Sequence, residues 1–160
     1  MSHGAVVKAG NLSELWARFS GFPGGKSLFS MVLGRTARYT GSIGAKIEHL
    51  EHGRGVVSMR DRPKVRNHLK SIHAIALINL GELVTGATVM YQVDGRGRGI
   101  LKGMSMEYTK KARGTITGTC HFEVPMNPGK HDLDVEGVLT DEVGDVVATA
   151  RATWRIEIFE

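Results

Sequence analysis

The chain has 160 residues, 41% hydrophobic and 23% charged, which fits one globular domain with a sizeable core and excludes a disordered chain. Twenty-one Lys and Arg against 16 Asp and Glu leave a formal charge of +5, which suits an anionic ligand such as a phosphorylated cofactor and points only weakly to nucleic acid. A single cysteine, Cys120, excludes an intrachain disulfide, and Met1-Ser2-His3-Gly4 lacks a basic-then-apolar signal pattern, so a cytoplasmic protein is expected.

Leu12, Leu15, Trp16 and Phe19 recur at helical spacing, and Gly21-Phe22-Pro23-Gly24-Gly25 ends that first helix. A second short helix is expected over Lys26 to Leu33. After Gly41 the period changes: Ile43, Ala45 and Ile47 alternate with Gly44, Lys46 and Glu48. His52-Gly53-Arg54-Gly55 then turns the chain into a strand from Val56 to Arg60, so this pair reads as a hairpin. Ser71 is placed to cap a long helix that is apolar nearly all round through Tyr91, and such a helix belongs in a core. Its polar interruptions at Asn79, Gly81, Glu82, Thr85, Gly86 and Thr88 argue against a bilayer span.

Asp94 to Gly99 breaks the helix, and four strands follow. Ile100 to Lys110 sets Met104, Met106 and Tyr108 on one face, and Thr115 to Val124 alternates cleanly. Asn127-Pro128-Gly129-Lys130 is a turn by composition. The next strand sets Leu133, Val135, Gly137 and Leu139 against Asp132, Asp134 and Glu136. After the turn Glu142-Val143-Gly144-Asp145, the last strand runs from Ala148 to Ile158. The order α–ββ–α–ββββ is α+β, with a curved antiparallel sheet wrapped around one long helix. The chain divides into a helical extension, 1–40, and a core, 41–160, within a single domain.

Glu82 is the residue that most invites a function, because a carboxylate in an apolar helix costs several kcal/mol to desolvate. Asn79, Thr85 and Gly86 stand three or four residues from it and can share its face, holding the carboxylate or leaving room for a ligand. Cys120 lies on the apolar face of its strand and reads as core. The acidic row Asp132, Asp134 and Glu136 reads as a solvated strand face, and no histidine has ligand spacing, so no metal is expected. Arg96 and Arg98 read as solvated residues of a Gly-rich connection.

The motif Asn67-His68-Leu69-Lys70-Ser71-Ile72-His73 in front of the long helix resembles that of hotdog-fold acyl-CoA thioesterases of the phenylacetate-pathway type. In those proteins an Asn precedes a His by six residues and an acidic residue follows the His by nine. Asn67, His73 and Glu82 have these spacings. The strand end Met106 to Gly114 and the hairpin Asp141 to Ala148 are similar too, and the helical extension resembles that of a little-characterised branch of the superfamily. The resemblance implies thioester hydrolysis with Glu82 as base or nucleophile and Asn67 orienting the water or carbonyl. It also implies His73 fixing the loop and the N–H of Ala74 as oxyanion donor.

Lys110, Lys111 and Arg113 are implied as contacts to the coenzyme A part of the substrate, with no other cofactor. The implied partners are an acyl-CoA or acyl-carrier thioester and a second copy in a homodimer, or a tetramer built from it, without nucleic acid or membrane span. Where the family often has Gly-Gly after the His, this chain has Ala74-Ile75. Two other readings stay open. One is a hydroxyacyl-thioester dehydratase or hydratase using His68, fourteen residues before Glu82. The other is a non-catalytic acyl-thioester binding module.

Overall fold

The computed structural model describes residues 12–160. Three helices, α1 (Leu12–Ser20), α2 (Gly25–Thr36) and α3 (Arg38–Gly41), precede the hairpin β1 (Lys46–Glu51) and β2 (Arg54–Met59). The long helix α4 (Ala74–Val93) follows, and then β3 (Gly97–Tyr108), β4 (Ile116–His121), β5 (Gly129–Thr140) and β6 (Val146–Ile158). All six strands join in one antiparallel sheet of order β1-β2-β4-β5-β6-β3. The sheet wraps α4, which is the hotdog arrangement.

The period-two alternation of the strands decides which side faces the helix. Val57 and Met59 of β2, Ile116 and Cys120 of β4, Val135 and Leu139 of β5, and Ala148, Ala150, Ala152, Trp154 and Ile156 of β6 are buried on the face toward α4, whose Leu80, Val84 and Val89 are fully covered. By length and composition α4 would also suit a bilayer, but here protein surrounds it. The outer face carries charge pairs that cross strands, such as Lys102 and Arg155 with Asp132. Hydrogen bonds from those two cations hold the Asp132 carboxyl well below the usual range.

Strand ends differ from the sequence pattern for identifiable reasons. The 13-residue β6 pairs with both neighbours out to Ile158, so β3 already begins at Gly97 and β5 at Gly129, inside stretches that composition marks as turns. Strand β4 ends at the hairpin turn: the Phe122 N–H still reaches the Gly53 carbonyl in register with β2, and the Val124 N–H then turns away to Gln92 Oε1. Gln92 also donates to the carbonyls of Thr88 and Phe122, so this buried amide is satisfied on both sides.

The extension is tied to both ends of the core. Ser13 donates from its N–H and its hydroxyl to Asp94, which follows the last turn of α4. Trp16 packs its edge on Phe29 with ring centroids 5.2 Å apart. Helix α2 continues to Thr36 and covers the free edge of β1: Ser30 Oγ accepts the Ile47 N–H at 2.8 Å, and Lys26 donates to the Glu48 carbonyl at 2.7 Å. That blunts one sheet edge. The other edge, β3, has no such cover among the described residues.

Candidate functional site

The chain between β2 and α4 is pinned at several points, which fixes the start of the helix. Asp61 accepts from Arg66 at 2.7 Å and from the Gly114 N–H at 3.3 Å, Ile72 N–H donates to the Ala112 carbonyl at 2.9 Å, and His73 N–H to the Val65 carbonyl at 2.8 Å. Asn67 closes the turn between them. Its Oδ1 accepts from Leu69 N–H, Ser71 N–H and Ser71 Oγ at 2.9, 3.3 and 3.2 Å, an Asx turn that leaves its amide NH2 without a partner among the described residues. Lys70 holds a φ of 56°, a costly conformation for a residue with a side chain. His68 is exposed in this turn.

Ser71, expected as the cap, is consumed by Asn67, and the cap is His73. Its Nδ1 accepts the Ile75 N–H at 3.0 Å, while its carbonyl takes the N–H groups of Ala76 and Leu77. The Ala74 N–H is left without a partner among the described residues, at the positive end of a 20-residue helix. Tyr108, at the end of β3, donates its hydroxyl to the Ala74 carbonyl at 2.9 Å and so anchors the first turn. Sequence spacing does not mark that bond, because an aromatic at a strand end reads only as packing.

Glu82 lies two turns further on and is half-buried. Burial pushes its carboxyl pKa up, and a hydrogen bond from the Thr40 side chain opposes that rise in part. Helix α3 therefore covers the carboxylate, and it holds the neighbouring residue as well: Asn79 Nδ2 donates to the Tyr39 carbonyl at 3.3 Å. A helix of four residues shows no periodicity, so nothing in the sequence announces this contact.

The other expected neighbours separate. Thr85 turns into the core, where its hydroxyl donates to the Gly81 and Glu82 carbonyls and accepts the Trp154 indole N–H at 3.2 Å. Gly86 makes room for the same ring, since a Cβ there would fall 2.8 Å from Trp154 Cζ2. Neither holds the carboxylate or opens space for a ligand. Because α4 is covered on nearly every side, sharing a helix face with Glu82 does not mean facing what Glu82 faces. Lys110 is committed to Asp141 and Asp145, at 2.6 Å each, and those bonds raise its pKa. Lys111 and Arg113 are exposed on either side of the buried Ala112 and form no ion pair among the described residues. No group of three or more His, Cys, Asp and Glu side chains converges among the described residues.

Two hollows flank α3. The smaller, about 210 Å³, touches Tyr39, Lys64, His73, Ile75 and Asn79 at the helix start. The larger, about 920 Å³, lies between α2, α3 and the β1–β2 end of the sheet and touches Thr40 and Leu83. Glu82 lines neither directly, but Thr40 and Leu83 adjoin it. The chemistry available is thus a desolvated carboxylate, an amide NH2 in a fixed turn and an unpaired N–H at a helix N-terminus, with cations at the rim.

No curated protein matches the chain. Among solved structures it is similar to PA5026 of Pseudomonas aeruginosa, described as a protein of unknown function and probable thioesterase. The identity is 26% and the TM-score 0.73, over 86% of this chain and 97% of that one. A mutant of the thioesterase enzyme SAV0944 from Staphylococcus aureus shares the fold at 20% identity and TM-score 0.63, over 75% of this chain and 98% of that one. So does a phenylacetic acid degradation-related protein from Ralstonia eutropha, at 20% identity and TM-score 0.65, over 79% and 97%. With the hotdog core and its helical extension in place, the match of residues 25–156 to the family described as DUF4442, a domain of unknown function, makes this chain a member of that family.

Proposed function

We propose that the protein hydrolyses acyl-CoA thioesters, with Glu82 as general base or nucleophile and the Ala74 N–H as oxyanion donor. The observation that carries this reading is the half-buried carboxylate itself: desolvation raises its pKa, which strengthens it as a base near neutral pH. As a base, Glu82 takes a proton from water while the water oxygen bonds to the carbonyl carbon. Because Ala74 and Glu82 of one chain stand about 12 Å apart along α4, the negative charge on the carbonyl oxygen is met by the Ala74 N–H and helix dipole of the second copy in the homodimer. Collapse breaks the carbon–sulfur bond, and the proton passes from Glu82 to the leaving thiolate. The Asn67 NH2 orients the water or the carbonyl, and His73 holds the turn through its cap. The names of the similar structures support the reaction class.

Lys111 and Arg113 are the cations we assign to the coenzyme A phosphates. Lys110 joins them only by exchanging its carboxylate partners, a small cost for exposed pairs. A homodimer belongs to the same proposal, supported by the uncovered β3 edge, and so does a cytoplasmic site of action, in keeping with the lone buried thiol of Cys120.

The test is release of free thiol from short, medium, long and aromatic acyl-CoAs by wild type and Glu82→Gln. Loss of a general base should slow turnover by roughly 10²–10⁴-fold. Equal rates in the two proteins would sink the assignment of Glu82. A second reading, a non-catalytic acyl-thioester binder, has one observation in its favour: Ile75 projects at the helix start, 52% exposed, where the resembling family often has glycine. Absence of thiol release at every chain length would select it.

A further inference from the structure

The larger hollow has a composition that the proposed reaction does not account for. Its lining includes apolar side chains, Met31 and Leu33 of α2 and Leu83 of α4. The same lining carries four cations, Arg35, Lys46, Arg60 and Arg62, against one carboxylate, Glu48. Glu48 is already matched: it accepts from Lys46 at 2.9 Å and from Ser58 at 2.7 Å.

Among the described residues the three guanidinium groups pair with no carboxylate. Arg62 donates to the Ile43 carbonyl, and its buried Nε has no partner. The chain makes room for this side chain at Gly44, whose φ of 60° suits glycine and where a Cβ would fall 2.5 Å from the guanidinium. Arg35 and Arg60 form no ion pair among the described residues, and both are exposed to incoming ligand. A fork of guanidinium donors is the geometry that recognises a planar carboxylate or a phosphate. In a hollow that also has apolar lining it fits an anion attached to a hydrocarbon.

The hollow also begins where the reaction would occur. Leu83 follows Glu82 in the helix, and Thr40, which bonds the Glu82 carboxylate, lines the same space. We infer that this groove receives the acyl part of the substrate and that the acyl group ends in a carboxylate, making the substrate a thioester of a dicarboxylic acid. The methylenes lie along Met31, Leu33 and Leu83, and the distal carboxylate meets Arg35, Arg60 and Arg62. This inference rests on the thioesterase reading for its reaction, but not for its binding.

The experiment compares adipoyl-CoA with hexanoyl-CoA, equal in chain length, on wild type and on the double variant Arg35→Gln, Arg60→Gln. Wild type should favour adipoyl-CoA in kcat/KM by at least about 10-fold, the scale of one charge-assisted contact, and the variant should lose that preference through KM while hexanoyl-CoA is unaffected. No preference in wild type overturns the inference. An equal loss on both substrates also overturns it, by assigning the arginines to the coenzyme A phosphates. Calorimetric binding of free adipate and free hexanoate to the Glu82→Gln protein separates the two proposals. Adipate bound more tightly, and only with Arg35 and Arg60 present, supports the groove even if no thioester is cleaved. Cleavage without any adipate preference keeps the thioesterase and removes the groove's ligand.

Discussion

At the scale of single residues, the position of Glu82 has consequences that can be measured apart from turnover. Its folded-state pKa lies above the ordinary 4.5 because burial disfavours the charge. The folded protein therefore keeps this proton to a higher pH than the unfolded chain does. The contribution of Glu82 to stability is whole below pH 4.5, declines as pH rises through the folded pKa, and above it becomes a standing cost. Glu82→Gln is thus expected to raise Tm at pH 7 and to bring no gain at pH 4, as thermal denaturation at the two pH values will show. A drop in Tm at pH 7 would mean that the ionised carboxylate is held by groups that outweigh its desolvation. Thr40 is the group that opposes the rise in pKa. Thr40→Val removes a hydrogen bond to the charged form, so the rising limb of kcat/KM against pH should move to higher pH, while Thr40→Ser should restore it. An unmoved limb in the valine variant would show that Thr40 does not hold the carboxylate during catalysis.

At the scale of elements, the central helix is specified by its contacts as much as by its composition. Trp154 lies over Gly86 with its indole N–H on Thr85. Gly86→Ala forces a methyl group against that ring and should cost about 1–3 kcal/mol by overpacking. Thr85→Val removes the acceptor of a buried indole and should cost about 1–3 kcal/mol. Denaturant unfolding checks both, and because one ring is shared, the double variant should cost less than the two singles together. Near-additivity would show that the ring adjusts freely. These two residues also mark where the sequence could be read and where it could not. Strand alternation placed Ile116, Cys120, Val135 and Leu139 inward, since a period of two has only one inward face. Helical spacing gave Thr85 and Gly86 the same weight as Asn79 around Glu82, since a helix apolar on all sides does not indicate its neighbours. Ser71 is the better cap by type, but Asn67, four residues earlier, competes for it and wins. Helix α3 is too short to leave a periodic trace, although it supplies both contacts to Asn79 and Glu82.

At the scale of the whole molecule, the two sheet edges are treated unequally. The β1 edge is closed by Ser30 and Lys26 of α2. The β3 edge offers a 12-residue strand with no neighbour on its outer side among the described residues, and Leu101, Met104 and Met106 are only partly buried there. A long strand with open N–H and C=O groups and half-covered apolar side chains is a template for pairing. Antiparallel pairing with a second copy would satisfy the ladder and close one continuous sheet without further edges to extend. Tyr108 ends this strand and bonds the first turn of α4, so an interface along β3 reaches the candidate site. The expected state in solution is therefore a dimer. Met104 and Met106 also pack near Gly81 on α4, so charging them would confound the fold with the interface. Ile100 faces outward, 65% exposed, and Ile100→Lys places a charge on this edge strand with little loss of core. That variant should sediment as a monomer at concentrations where wild type is dimeric, with circular dichroism unchanged, and lose thiol release in proportion to dimer lost. A monomeric variant with full turnover would show that one copy holds a complete site. A wild type that is monomeric at all concentrations would remove the dimer altogether.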